Sequence, residues 1–216
     1  MSGPSSAFAL LGGIRALPVV AIDAVEDAIP LADALAEGGL TAIEVTLRTA
    51  AAFDAIAKLQ KERPKLLIGA GTVVTGAQMK TCAALGVRFA ISPGLTPSLL
   101  EIAHELKMPY LPGTATASEV MHGIQHGWSE FKFFPAEAAG GVAMLKSWAG
   151  PFPDLRFCPT GGINAQNAGN YLALPNVVMV GSSSMMPAAS LKAKDWADIA
   201  RRSRAFTDAL DNITAC

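Results

Sequence analysis

The chain has 216 residues, of which 51% are hydrophobic and 16% charged, a composition that indicates one globular domain and excludes a disordered or fibrous chain. Seventeen Lys and Arg residues against eighteen Asp and Glu residues give a formal net charge of -1, which disfavours a general nucleic-acid-binding surface. The longest apolar stretches, such as residues 16–22, fall far short of the roughly 18 residues that a membrane-spanning helix needs. The apolar segment 7–11 lacks the preceding positive charge of a secretory signal. We therefore expect a soluble, cytoplasmic protein with no membrane partner.

Short apolar or β-branched runs alternate along the chain with Ala- and Leu-rich segments of helical period. In chain order, the predicted strands are 17–22, 42–46, 66–70, 89–92, 110–112, 131–134, 156–159 and 177–181. The predicted helices are 26–37, 50–62, 76–85, 97–106, 117–126, 141–149, 165–172 and 195–210.

This alternation predicts an α/β fold, a parallel sheet with helical crossovers. Eight strand–helix units without a linker fit a single-domain (β/α)8 TIM barrel over residues 1–216, and the segment before residue 17 is predicted to form a short helix over the barrel floor. An open doubly wound sheet is the alternative. However, the first strand leads into Asp23, Ala24 and Val25 rather than into a Gly-x-Gly-x-x-Gly turn.

Two charged residues are predicted to point into the barrel interior. Side chains alternate along a strand, so the run 42–46 turns Ile43 and Val45 towards the helices and Glu44 inward. The same rule turns Lys132 inward in the sixth strand. Because alternate strands of such a barrel contribute to the same interior layer, we expect Glu44 and Lys132 to meet at the carboxyl ends of the strands.

A buried pair of opposite charges gains little stability over apolar packing, so this pair points to chemistry. A lysine amine has an ordinary pKa of about 10.4, and apolar neighbours such as Phe134 favour its neutral form. A neutral amine attacks a carbonyl group and forms a Schiff base, and an adjacent carboxylate can move the protons. A structural ion pair in the barrel mouth, or a lysine that reaches solvent, is the alternative interpretation.

Glycine- and serine-rich segments, residues 159–164 and 181–184, follow strands seven and eight. In this architecture the two loops form the usual phosphate site, where glycines let backbone N–H groups approach an anion, although tight loop geometry would explain them as well. After strand three, the segment 69–73 supplies the Thr72 hydroxyl and close-approach glycines, and Arg48 supplies a cation suited to a carboxylate.

The cysteines and histidines suggest neither a disulfide nor a metal site. Cys82, Cys158 and Cys216 are widely spaced, without a Cys-x-x-Cys pair, and are predicted to be free thiols. His122 and His126 lie four residues apart on one predicted helix without a third ligand, which favours a solvated helix face.

Five motifs, in this order and combination, resemble the family of aldolases that cleave 2-keto-3-deoxy-6-phosphogluconate (KDPG) and 2-keto-4-hydroxyglutarate (KHG). They are EVTLRT (44–49), GAGTV (69–73), ISPG (91–94), FKFFPAE (131–137) and RFCPTGGI (156–163), and the resemblance extends from about residue 17 to residue 187.

The resemblance implies a class I aldolase of the Entner–Doudoroff pathway that forms a homotrimer and uses no metal or cofactor. It implies that Lys132 forms the Schiff base with the keto acid and that Glu44 is the general acid/base. The implied substrate-binding residues are Arg48 and Thr72 at the pyruvate carboxylate, Thr160 beside the aldehyde, Pro93 and Phe134 in the mouth, and Gly161, Gly162, Gly181, Ser182 and Ser183 at the phosphate.

We therefore expect retro-aldol cleavage of KDPG to pyruvate and glyceraldehyde 3-phosphate. A second hypothesis is an aldolase that acts mainly on an unphosphorylated keto acid such as KHG, and a third is a phosphate-binding barrel without covalent chemistry. The chain departs from the resembled family at 181–184, which reads Gly-Ser-Ser-Ser where the family commonly reads Gly-Gly-Ser-Trp or a close variant. The side chain of Ser182 is expected either to crowd the phosphate or to donate an extra hydrogen bond to it.

Overall fold

The computed structural model describes residues 5–211, in which every paired strand is parallel to its neighbours. The strands are β1 (Ala16–Val20), β2 (Ala42–Thr46), β3 (Leu67–Gly71), β4 (Phe89–Ile91), β5 (Tyr110–Leu111), β6 (Gly113–Thr114), β7 (Glu130–Phe133), β8 (Arg156–Pro159) and β9 (Val180–Ser182). Helices connect most consecutive strands, so the predicted α/β fold with parallel strands is confirmed.

The helices lie close to their predicted positions. They are α1 (Ala7–Leu10), α2 (Ala28–Glu37), α3 (Ala52–Glu62), α4 (Gly76–Ala84), α5 (Pro97–Glu105), α6 (Ala117–Gln125), α7 (Gly141–Trp148), α8 (Ala168–Leu172), α9 (Ala188–Ala193) and α10 (Trp196–Asp211), with a 3-10 turn at Val25–Asp27. Threonine hydroxyls begin three of them: Thr75, Thr96 and Thr116 each accept a backbone N–H of the following first turn. No helix within residues 5–211 is long and apolar enough to cross a membrane.

The elements after β8 differ most from the prediction. Helix α8 begins at Ala168 instead of residue 165, because the Asn164 side chain accepts the backbone N–H groups of Gln166 and Asn167 and forms a turn in place of the first helical turn. The eighth predicted strand, 177–181, is β9 at Val180–Ser182. Helix α9, which follows it, was not predicted.

The strands form two sheets. The first has six strands in the order β5-β4-β3-β2-β1-β9, and the second has the order β6-β7-β8. The predicted fifth strand, 110–112, is β5, which pairs with β4. The short strand β6, which pairs with β7, was not predicted, and only Pro112 separates it from β5. At the other edges of the two sheets, next to β8 and β9, isolated parallel bridges join Phe157 to Val177 and Thr160 to Gly181.

Two apolar clusters cover the two faces of the strands. Ile43, Val45, Phe131 and Phe133 lie in the cluster that also contains most buried helix residues, as the strand parity predicts. A smaller cluster includes Ala7, Phe8 and Leu11 from α1 and its flank, together with Leu17, Phe89, Leu111, Cys158 and Met179 from the strands. The predicted short N-terminal helix is therefore present and covers one end of the strands.

Glu130 fixes α1 at that end. Its Oε2 accepts the backbone N–H groups of Ala7 and Phe8 at 2.8 and 3.0 Å, an anion at the positive end of a helix. Because Glu130 is the first residue of β7, α1 lies at the amino ends of the strands. The carboxyl ends, where the predicted site residues lie, are at the opposite end.

Candidate active site

Lys132 and Glu44 meet as their strand parity predicts. Lys132 Nζ donates to Glu44 Oε1 at 3.1 Å, and the two residues are only 5% and 1% exposed. Glu44 comes from β2 in the six-stranded sheet and Lys132 from β7 in the three-stranded sheet, so the contact joins the two sheets. The arrangement puts an amine and a carboxylate side by side in a water-poor environment.

Only one oxygen of the Glu44 carboxylate, Oε1, has a hydrogen-bond partner among the described residues. Glu44 lies opposite Gly69 in the β2–β3 register, and the next inward residue of β3, Gly71, provides the space for its carboxylate. Glu44 Oε2 is buried and has no hydrogen-bond partner among residues 5–211. An acceptor in this state is available to a hydroxyl group or a water of a bound substrate.

The surroundings of Lys132 are largely apolar. Its Nζ lies 5.1 Å from the centre of the Phe134 ring, and Cys158 is its register partner on β8. Burial raises the pKa of the Cys158 thiol to about 12, so the thiol stays neutral beside the amine. Cys82 is also a free, buried thiol, whereas Cys216 lies outside the described residues.

Arg48 extends from the end of β2 towards solvent. Its Nε donates to Thr46 Oγ1 at 3.2 Å, and the Thr46 hydroxyl in turn donates to the Val20 carbonyl oxygen at 2.8 Å. This chain of contacts orients the guanidinium and leaves its terminal N–H groups without an acceptor among the described residues. Thr72, half-buried after β3, has a left-handed backbone with φ of 56°.

The glycine turn after β8 has the geometry of an anion site. Gly161 and Gly162 both have positive φ, at 105° and 78°. Within residues 5–211, the backbone N–H groups of Gly162 and of Ser183, which follows β9, donate to no other group. No lysine or arginine occurs in either loop, so an anion here would be held by amides and hydroxyls.

Ser182 has a different environment from the one expected. Its side chain is buried, and its hydroxyl donates to the Ile163 carbonyl oxygen at 2.7 Å and accepts the Ser184 backbone N–H at 3.1 Å. The hydroxyl proton is thus directed into the protein and not towards an anion. The structure assigns Ser182 a contact that joins the two glycine- and serine-rich loops.

Thr160 and Pro93 lie at neighbouring strand ends. Thr160 is buried against Gly181, where a Cβ would stand 2.2 Å from the Thr160 Oγ1 atom. Pro93 follows β4 and contacts the β5–β6 break, because a Cβ on Gly113 would stand 2.4 Å from the Pro93 carbonyl carbon. Thr160 thus follows the strand that pairs with the strand of Lys132, and Pro93 lies against Gly113, the register partner of Lys132 on β6.

Sequence reasoning did not identify Ser92 as part of this site. The buried Ser92 hydroxyl lies 2.5 Å from the Tyr110 hydroxyl oxygen and 2.6 Å from the carbonyl oxygen of Gly94, and it fixes the turn that carries Pro93. The sequence feature that could have identified Ser92 is its position at a predicted strand end, directly before Pro93.

His122 and His126 lie on α6 with ring centres 4.9 Å apart, and no cluster of three or more metal-ligand residues occurs within the described part of the chain.

Known proteins have sequences and folds similar to those of this chain. The KDPG and KHG aldolase family model matches residues 9–202. The chain is 51% identical over 190 residues to a 2-dehydro-3-deoxy-phosphogluconate aldolase of Pseudomonas aeruginosa, covering 88% of this chain and 86% of that protein. It is 47% identical over 200 residues to the KHG/KDPG aldolase of Escherichia coli, covering 93% and 94%. The fold matches a crystal structure of KDPG aldolase from Legionella pneumophila, in which pyruvate was captured at low pH as a covalent carbinolamine intermediate. The TM-score is 0.89 at 47% sequence identity, and the match covers 92% of this chain and 96% of that chain.

Proposed function

Because the chain belongs to the KDPG and KHG aldolase family, we propose that it is a class I aldolase that cleaves KDPG to pyruvate and glyceraldehyde 3-phosphate through a Schiff base on Lys132. The observation that carries this function is the buried contact of 3.1 Å between Lys132 Nζ and Glu44 Oε1. A non-covalent phosphate-binding barrel has no need of an amine and a carboxylate in contact at the strand ends.

The reaction begins when Lys132 Nζ, as a neutral amine, adds to the C2 carbonyl of the keto acid. Loss of water from the carbinolamine leaves an iminium ion, which accepts the electron pair of the C3–C4 bond when that bond breaks. The adjacent Glu44 carboxylate can take the amine proton and return it to the departing hydroxyl. The Phe134 ring, centred 5.1 Å from Nζ, packs over the amine at the strand ends.

Glu44 also serves the cleavage step. Its carboxylate, directly or through a water, removes the proton from the C4 hydroxyl, so that the C4 carbon leaves as the aldehyde of glyceraldehyde 3-phosphate. The same group then helps to protonate C3 of the enamine. Hydrolysis of the resulting imine releases pyruvate and restores Lys132. The unpartnered Oε2 is the atom that is free for these transfers.

Arg48 and Thr72 bind the carboxylate of the keto acid in this proposal. The free terminal N–H groups of Arg48 support a bidentate contact, and the Thr72 hydroxyl follows the strand next to β2. Thr160, on the strand after Lys132, contacts the aldehyde portion and influences which face reacts. Gly162 and Ser183 bind the phosphate through their free backbone N–H groups, with Gly161 and Gly181 allowing close approach.

An aldolase specific for unphosphorylated KHG is the alternative, and the relative from Escherichia coli carries both substrate names. Turnover of KDPG and KHG side by side, with pyruvate release as the readout, tests the proposal. We expect cleavage of both keto acids and at least about a tenfold higher kcat/KM for KDPG. Equal values would favour the unphosphorylated substrate, and no pyruvate from either would refute an aldolase.

We also propose that the two sheets form one closed (β/α)8 barrel. The bridges from Phe157 to Val177 and from Thr160 to Gly181 support closure on one side, and the single residue Pro112 between β5 and β6 supports it on the other.

A cytoplasmic homotrimer in the Entner–Doudoroff pathway is proposed from the family resemblance alone. Light scattering on the purified protein would test the trimer.

A further inference from the structure

We propose that Glu137, held by Tyr171, is a positioning residue for the phosphate end of the substrate. The inference rests on the proposed function, since it assigns the Gly161–Gly162 turn to the phosphate. Glu137 lies in the loop after β7, beyond the Schiff-base lysine, and it belongs to the loop that contacts this turn.

The carbonyl groups of the turn are both held from behind. The Glu137 backbone N–H donates to the Gly161 carbonyl oxygen at 3.1 Å, and Asn167 Nδ2 donates to the Gly162 carbonyl oxygen at 3.0 Å. In a trans peptide the C=O and the following N–H point in opposite directions. Fixing the Gly161 carbonyl towards Glu137 therefore directs the Gly162 N–H away from the Glu137 backbone, and at this exposed residue it can meet an anion.

The Glu137 side chain supports the same turn. A Cβ built on Gly162 would stand 2.6 Å from Glu137 Cγ, so the methylene groups of Glu137 lie directly against the Gly162 backbone. Gly162 has the left-handed φ of 78°, which a loosely held glycine would leave readily. The contact restricts the turn to the conformation that presents its N–H.

Tyr171 fixes the end of the Glu137 side chain. Tyr171 is buried in α8, and its hydroxyl donates to Glu137 Oε1. Burial raises the pKa of Tyr171 above its ordinary value, and the neighbouring Glu137 carboxylate raises it further, so the hydroxyl keeps its proton at neutral pH. The contact thus ties the turn to α8 as well as to the loop after β7.

The test compares Glu137→Ala, Glu137→Gln and Tyr171→Phe with the wild type. Steady-state kinetics are measured with KDPG and KHG, together with inhibition by inorganic phosphate. Glu137→Ala is expected to raise the KM for KDPG and the inhibition constant for phosphate by about three- to tenfold, with kcat for KHG changed by less than about twofold. Tyr171→Phe should give a smaller change of the same kind. Glu137→Gln keeps the methylene groups and an acceptor, and it should restore near-normal values.

Glu130→Ala is the matched control, because Glu130 lies at the opposite end of β7 and caps α1. It is expected to lower thermal stability without changing the ratio of the two substrates. Unchanged or tighter phosphate binding in Glu137→Ala, or equal losses with KDPG and KHG, would overturn the positioning role. A wild type without preference for KDPG would instead refute the phosphate site itself and this inference with it. Tyr171→Phe supplies the same comparison if Glu137→Ala does not fold.

Discussion

Gly71 on β3 leaves the space that the Glu44 carboxylate occupies. A Cβ on Gly71 would stand 2.1 Å from Glu44 Oε1, a separation that no pair of non-bonded atoms can adopt. Glu44 Oε1 is also the atom that receives the hydrogen bond from Lys132 Nζ. The geometry of the ion pair therefore depends on a residue that has no side chain.

Gly71→Ala is expected to displace the Glu44 carboxylate and to lower kcat for KDPG by about tenfold to a hundredfold, as small misplacements of catalytic groups do. Alanine in a strand is otherwise no less stable than glycine, so a loss of activity reports on the carboxylate. Gly150→Ala is the control, because a Cβ there has no atom within 4 Å. Equal activity of Gly71→Ala and the wild type would show that Glu44 has no fixed position in catalysis.

Glu44→Gln keeps the size of the side chain and removes its ability to accept a proton. We expect kcat to fall by about 10²- to 10⁴-fold, the usual contribution of a positioned acid or base, while the fold is retained. Exchange of the pyruvate methyl protons with deuterated solvent should slow in parallel, because it requires the same proton transfer at C3. Near-normal exchange in this variant would assign the proton transfer to another group.

The contact between Glu44 and Lys132 was predictable because strand parity alone decides which side chains point inward. The separate strand β6 was not, since the sequence pattern predicts a single strand at 110–112, and the break lies where Gly113 contacts Pro93 from the segment after β4. The contact of Ser182 was hidden for the same reason. Its acceptor, the Ile163 carbonyl oxygen, is 19 residues away in the chain, and no local pattern specifies it.

Treatment with pyruvate and sodium borohydride is expected to attach a reduced pyruvyl group to Lys132 and to abolish activity irreversibly. Lys132 is buried beside Glu44 and Phe134 at the strand ends, whereas Lys146 is exposed to solvent on α7. Peptide mapping by mass spectrometry gives the modified position. An adduct on Lys146 or another exposed lysine, or no adduct on an enzyme that turns over, would exclude Lys132 as the Schiff-base residue.

Arg48→Ala is expected to raise the KM for both keto acids by roughly tenfold to a hundredfold, since a charge-assisted contact to the carboxylate is lost. Arg48→Lys should restore binding only in part, because an ammonium group cannot make the bidentate contact. Arg88→Ala, at an exposed residue just before β4, controls for the general loss of one positive charge. Equal KM values for the Lys and Arg enzymes would indicate attraction by charge alone.

The final prediction concerns Ser182, at the end of β9. Its hydroxyl joins the loop after β9 to the loop after β8 by hydrogen bonds with the Ile163 carbonyl oxygen and the Ser184 backbone N–H. Since these contacts are directed into the protein, we expect Ser182 to stabilise the two loops and not to bind phosphate itself.

Ser182→Ala retains the Cβ and removes both contacts, which costs about 1 to 3 kcal/mol because the Ile163 carbonyl loses its donor. A loss of 1 kcal/mol corresponds to a fall in Tm of roughly 2 to 4 °C in a chain of this size. The KM for KDPG should rise by only about two- to fourfold, with the KM for KHG unchanged.

Thermal unfolding and steady-state kinetics measure the change in stability and the change in KM separately. An unchanged Tm with a rise of more than about tenfold in the KM for KDPG would mean that the hydroxyl donates directly to the phosphate, which is one of the two possibilities that the sequence leaves open. A lower Tm with a small change in KM would assign Ser182 to the connection between the two loops, and the backbone N–H groups of Gly162 and Ser183 would then remain the principal phosphate donors.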